Sequence, residues 1–84
     1  MIAKRTDANH ALLMTTLRQL GWQVVDLHTA PNFVDAIAQR GQHLRLLEFK
    51  AGPTAPFTLA QKALLDQGWP ICVLRSIEDC ERLR

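Results

Sequence analysis

The run Phe33-Val34-Asp35-Ala36-Ile37-Ala38-Gln39-Arg40-Gly41-Gln42-His43-Leu44-Arg45-Leu46-Leu47-Glu48-Phe49-Lys50 decides how the chain folds. Two apolar segments, 33–39 and 44–50, flank Arg40-Gly41-Gln42-His43. A connection that short with a glycine in it predicts an antiparallel hairpin. On a strand, residues two apart face the same side, so Glu48 and Lys50 project together while Phe49 points the other way, into a core. A hairpin turning around Gly41 brings Asp35 alongside Glu48. Two carboxylates and an ammonium then meet at a sheet edge.

On either side of the hairpin, Gly, Pro and capping residues divide the chain. Thr6 or Asp7 caps a first helix that runs to about Leu20, with Leu13, Leu17 and Leu20 on the helical period and Gly21 as its stop. Residues 22–27, Trp-Gln-Val-Val-Asp-Leu, read as a short strand, and the stretch after them as loop. Residues 51–57 hold two prolines and a glycine and continue no element. Thr58 then caps a helix to about Gln67, stopped by Gly68. Residues 70–74 predict a strand buried on both faces, and Ser76 caps a last helix over 77–83. The order is αβββαβα and the fold class α/β: a central four-stranded mixed sheet flanked by helices. The third and fourth strands should run parallel, joined by a right-handed crossover through the second helix.

With 84 residues, ten Lys and Arg against eight Asp and Glu, and 48% hydrophobic residues, the chain makes one small domain. Such a domain buries only about 60% of the surface its unfolded form exposes, so a homo-oligomer is expected. No apolar run approaches the roughly 18 residues of a membrane span. The first residues lack the apolar stretch of a secretory signal, so a cytoplasmic location is expected. Cys72 and Cys80 have no ligand spacing, alone or with His28 and His43; they read as reduced thiols rather than a zinc site. Trp22 and Trp69 each follow a helix-ending glycine and precede a strand, which predicts packing under the helix ends. A net charge of +2 permits nucleic acid without demanding it.

The chemistry lies with Asp35, Glu48 and Lys50. Two hard oxygen ligands suit Mg²⁺, or Mn²⁺ in its place. A lysine beside such an ion supplies a fixed positive charge where a phosphodiester would gain negative charge. Arg40 and Arg45 flank the hairpin, and Lys62 neighbours Gln61; these three could line a groove for DNA phosphates. Plainer readings stand beside these. Asp35 could be a turn carboxylate, Gln61 a solvated helix residue and His10 a surface or capping residue. Glu48 and Lys50 could form an exposed pair worth under about 1 kcal/mol.

The element order, together with Asp35 and Glu48-Phe49-Lys50, resembles the PD-(D/E)xK nuclease superfamily over nearly the whole chain. Within it, the chain is similar to archaeal-type Holliday-junction resolvases and VRR-NUC-like phage nucleases. The resemblance implies that Asp35 and Glu48 are metal ligands, that the Phe49 carbonyl is a third, and that Lys50 is catalytic. It places Gln61, in Thr58-Leu59-Ala60-Gln61, beside Lys50 and the attacking water. There are two departures: Val34 stands where the family usually has proline, and the first helix carries no glutamate. Asn9 and His10 lie near that glutamate's position, which makes His10 a candidate ligand. The implied activity is divalent-metal-dependent hydrolysis of DNA, selective for branched or junction structures, by a homodimer of phage or prophage origin. The alternative is a nuclease fold kept as an inactive DNA-binding or scaffolding module, to which the absent glutamate points. A weaker third option is a structural subunit of a larger complex.

Overall fold

Gly41 and Gln42 make the turn of the central hairpin, and Gly41 takes the positive φ, 61°, that a type II′ turn requires at its first position. The structure, a computed structural model, describes residues 8–27 and 29–84. Thr6, Asp7 and His28 lie outside them. The hairpin joins β2 (Ala36–Arg40) to β3 (His43–Phe49), with Arg40 paired to His43 and Ala36 to Leu47. Around it are α1 (Ala8–Gln19), β1 (Gln23–Asp26), α2 (Leu59–Asp66), β4 (Ile71–Leu74) and α3 (Ile77–Arg82). The order is the expected αβββαβα. The sheet runs β1-β2-β3-β4, antiparallel except for the parallel β3–β4 pair, so it is mixed.

Both predicted glycine stops end their helices in the same way. The Trp22 N–H donates to the Leu17 carbonyl at 3.0 Å and the Gly21 N–H to Arg18 at 3.1 Å; Gly21 has φ 94°. At the end of α2, Trp69 donates to Leu64 and Gly68 to Leu65, with Gly68 at φ 90°. These are Schellman closures, which satisfy orphan carbonyls by way of a left-handed residue open to glycine. Thr58 caps α2 in a full capping box with Gln61, and the Ser76 side chain caps α3 through the Asp79 N–H.

The core lies on one face of the sheet. Leu13, Met14 and Leu17 of α1 pack with Trp22, Val24, Ala36, Ala38, Leu47, Phe49 and Leu74, and α3 adds Cys80 with Leu83 beyond it. The opposite face is thinly covered: α2 buries only Leu64, while Leu59 and Leu65 stay exposed. Two expectations are corrected here. β4 is an edge strand, half-buried at Ile71, Cys72 and Val73, because β3 covers one side and no strand flanks the other. Trp22 is buried as expected, but Trp69 is 43% exposed and stands edge-on to Phe33 at 5.3 Å, since the thinly covered face has no core to receive it. Among the described residues, no helix is long and apolar enough to cross a membrane.

Candidate active site

Asp35 sits where β2 begins, in a β-bulge. Its N–H donates to the Leu47 carbonyl of β3 at 3.0 Å, while its own carbonyl accepts from the Leu27 N–H at 2.8 Å on the β1 side. In a regular strand both groups of one residue point to the same neighbour; pointing them apart is the mark of an inserted residue. The first of these bonds is also one residue out of step with the Ala36–Leu47 pairing, by which Asp35 would face Glu48. The bulge re-aims the side chain. Asp35 Oδ2 accepts from the buried Phe49 N–H at 2.9 Å, so this carboxylate grips the peptide between Glu48 and Phe49. Asp35 is therefore next to Glu48, as the hairpin predicted, but at the ends of the two inner strands rather than at a lateral edge.

Glu48 and Lys50 do share a side, and Phe49 enters the core opposite them. Both charged residues are buried, Glu48 at 3% exposure and Lys50 at 9%, with Lys50 Nζ 3.7 Å from Glu48 Oε2. This is no solvated surface pair. Withdrawing two charges from water costs more than their attraction returns unless further hydrogen bonds complete them. Gln61 does so. Its Oε1 accepts from Lys50 Nζ at 2.5 Å and its Nε2 donates to Glu48 Oε2. Only that amide orientation puts an acceptor on the ammonium and a donor on the carboxylate. The same Oε1 takes the Thr58 N–H at 2.8 Å, and Thr58 Oγ1 accepts from the Gln61 N–H at 3.2 Å. The cap of α2 is thus the mount for the side chain that bridges Glu48 and Lys50.

The first turn of α1 closes on the same end of the sheet. Asn9 Nδ2 donates to the Lys50 carbonyl at 3.0 Å. His10 is buried, with its ring edge-on to Phe49 at 4.8 Å and its Nε2 3.2 Å from Asp26 Oδ2. It is neither a cap nor a surface residue; it lies against the back of the Glu48-Phe49-Lys50 strand with one ring nitrogen occupied by a carboxylate. Asp26, the last residue of β1, had no sequence signal: only the pairing of β1 with β2 brings it here. Two further residues define the rim. Lys50 Nζ is 5.4 Å from the Phe57 ring centroid, and Arg75 Nη1 donates to the Gly52 and Ala55 carbonyls, tying the loop over 51–57 to the end of β4. The proline and glycine content predicted the loop; the arginine that holds it was not foreseen.

The three basic residues proposed for phosphates are not together. Lys62 is exposed on α2, next to Gln61. Arg40 and Arg45 lie toward the other end of the sheet. The Arg40 guanidinium stacks 4.5 Å above the Trp22 ring and donates to the Leu20 carbonyl. Arg45 Nε donates to the Arg84 carbonyl at 2.6 Å.

Asp35, Glu48 and the Phe49 carbonyl form an all-oxygen donor set, which fits a hard cation. Mg²⁺ uses one or two carboxylates and keeps several waters, so two acids suffice. Among the described residues no group of three His, Cys, Asp or Glu gathers around a point, so neither a third acid nor a zinc-like cluster is added. Comparison with family models, curated proteins and solved structures returned no match, so the geometry of this chain alone carries the functional argument.

Proposed function

We propose that the chain is a divalent-metal-dependent endonuclease that hydrolyses DNA phosphodiester bonds, with Asp35, Glu48, Lys50 and Gln61 at its centre. The observation that carries this reading is the buried Glu48–Gln61–Lys50 bridge beside Asp35, a costly arrangement that stability alone does not reward. Asp35, Glu48 and the Phe49 carbonyl would hold Mg²⁺, or Mn²⁺ in its place. A cation held there would acidify a water and offset negative charge on the phosphate. Lys50, held by Gln61, sets a positive charge at a fixed place against the oxygen that gains negative charge. Gln61 bridges the Lys50–Glu48 ion pair, bonding both partners and so fixing their relative positions. Two copies in a homodimer would address two strands, in keeping with a branched or junction substrate.

The test is cleavage of linear, supercoiled, flapped and four-way-junction DNA with Mg²⁺, Mn²⁺ or EDTA. Asp35→Ala and Glu48→Ala should each abolish metal-dependent cutting while circular dichroism stays that of the parent. Undiminished cutting by either variant defeats the reading. One observation favours a second reading, an inactive DNA-binding module: the first turn of α1 reaches this end of the sheet with Asn9 on the Lys50 carbonyl and His10 behind Phe49, and it holds no carboxylate. That protein would retain DNA at low salt and cut nothing in any metal.

A further inference from the structure

The end of the sheet away from the carboxylates carries a concentration of arginine that the proposed chemistry does not use. Arg40 donates to the Leu20 carbonyl at the end of α1 and to the Leu83 carbonyl beyond α3. Arg45 binds the Arg84 carbonyl and Arg84 binds the Glu81 and Leu83 carbonyls, which places the C-terminal residues 82–84 against the hairpin. Arg18, in the last turn of α1, donates to the Val24 carbonyl. With the exposed Arg82, five of the seven arginines of the chain collect here. Their partners are backbone oxygens and, for Arg45, the His43 ring. Among the described residues no side-chain carboxylate pairs with any of the five. Carbonyls orient a guanidinium without cancelling its charge, and each Nη they engage keeps a second hydrogen directed elsewhere. The acids nearest in sequence, Glu78, Asp79 and Glu81 of α3, are three against five arginines, so this end has an excess of positive charge on a chain whose net charge is only +2.

We propose that this hairpin end is a second nucleic-acid contact surface, at which Arg45, Arg82 and Arg84 take backbone phosphates of duplex DNA. Arginine rather than lysine is the residue whose planar fork matches phosphate, and both described lysines lie elsewhere, Lys50 in the site and Lys62 on α2. Arg45 is paired with Ala38, three residues along β2 from Asp35, or about 10 Å at about 3.4 Å per residue. That is about three base-pair steps at 3.4 Å each. In the nuclease reading, on which only this spacing rests, the surface takes hold of an arm of the substrate beginning about three base pairs from the scissile bond. It then fixes the register of the duplex without reading its sequence.

The test is fluorescence-anisotropy binding of a 30-base-pair duplex across a salt series in EDTA, where no cutting is needed. The doubly substituted Arg45→Ala, Arg84→Ala protein should lower the slope of log affinity against log salt by about 1.8, or about 0.9 for each lost phosphate contact. Because Arg45 also ties residues 82–84 to the hairpin, Arg82→Ala is the second variant; it is exposed, its side chain makes no bond among the described residues, and its loss should lower the slope by about 0.9. Slopes equal to the parent's in both proteins overturn the proposal, as does tighter capture by phosphatidylserine vesicles than by duplex at equal salt. A parent that never cuts but whose slope falls in these variants retains the surface and removes the nuclease reading. A parent that cuts through Glu48, with unchanged slopes, does the reverse.

Discussion

Beneath α1 and α3 the sheet is packed as a small-domain core, with Leu13, Leu17, Ala36 and Leu47 fully buried. On its other face the same strands meet a helix that buries one leucine, and the buried residues there include Glu48 and Lys50. β3 serves both faces by strand alternation: Leu47 and Phe49 enter the core, while Glu48 and Lys50 enter the polar bridge. The stability of the domain is therefore concentrated on one face, and the other face can hold charges that a tighter core would expel. The strand shared by the two faces keeps the charges in place, since Phe49 is anchored in the core by its ring and to Asp35 by its N–H.

The largest effect on this contrast is expected from Leu47→Ala, which empties a fully buried site on the packed face and should cost 2–5 kcal/mol in urea unfolding, within the range of about 2–5 typical of such truncations. A loss below about 1 kcal/mol would mean that the core is not where stability resides. Next is the thiol of Cys80. Burial pushes it up from 9.0 to about 11, with the negative charge of Asp79 adding to the rise. Because the unfolded chain releases this proton first, the native state is at full advantage below about pH 9 and loses it as pH rises toward 11. At 1.36 kcal/mol per unit, up to about 2.7 kcal/mol is lost, and a Cys80→Ala protein should show a flatter alkaline limb. An identical limb in both proteins would assign the loss to other groups.

On the thin face the effects should be smaller. Thr58→Ala removes the hydroxyl that caps α2 and should cost about 1 kcal/mol. It also frees the turn that mounts Gln61, so in the nuclease reading it lowers the cutting rate more than Lys62→Ala does, and Thr58→Ser restores both properties. Leu59→Ala, at a side chain 84% exposed, should change stability by less than about 0.5 kcal/mol. A loss of several times that would show that α2 is covered by something in solution, most simply a second copy.

Much of this was legible in the chain, and for local reasons. Gly21, Gly68, Thr58 and Ser76 act within a turn of their own positions, so the helix ends could be read from them directly. Strand alternation placed Glu48 and Lys50 together, and the hairpin placed Asp35 beside them. What escaped depends on contacts between elements. The bulge at Asp35 arises where β2 must satisfy β1 and β3 at once, and no residue type in Val34-Asp35-Ala36 announces it. The contact of His10 with Asp26 needs α1 packed on the sheet. Arg40 and Arg45 flank the hairpin as read, but the length of β2 carries them away from Asp35, so flanking the turn meant leaving the site. The apolar run 70–74 has the composition of an inner strand, yet its place at the edge is set by topology.

The most direct measurement is cutting of a four-way junction by the parent and by Glu48→Gln, with Mg²⁺ and with EDTA, alongside urea unfolding of the same two preparations. Glutamine retains the size of the side chain and removes its charge. The account predicts Mg²⁺-dependent cutting by the parent and none by the variant, which stays folded but loses stability because Lys50 is left buried without its carboxylate. Equal cutting by both proteins, or loss of cutting only in step with loss of the folded state, would contradict it.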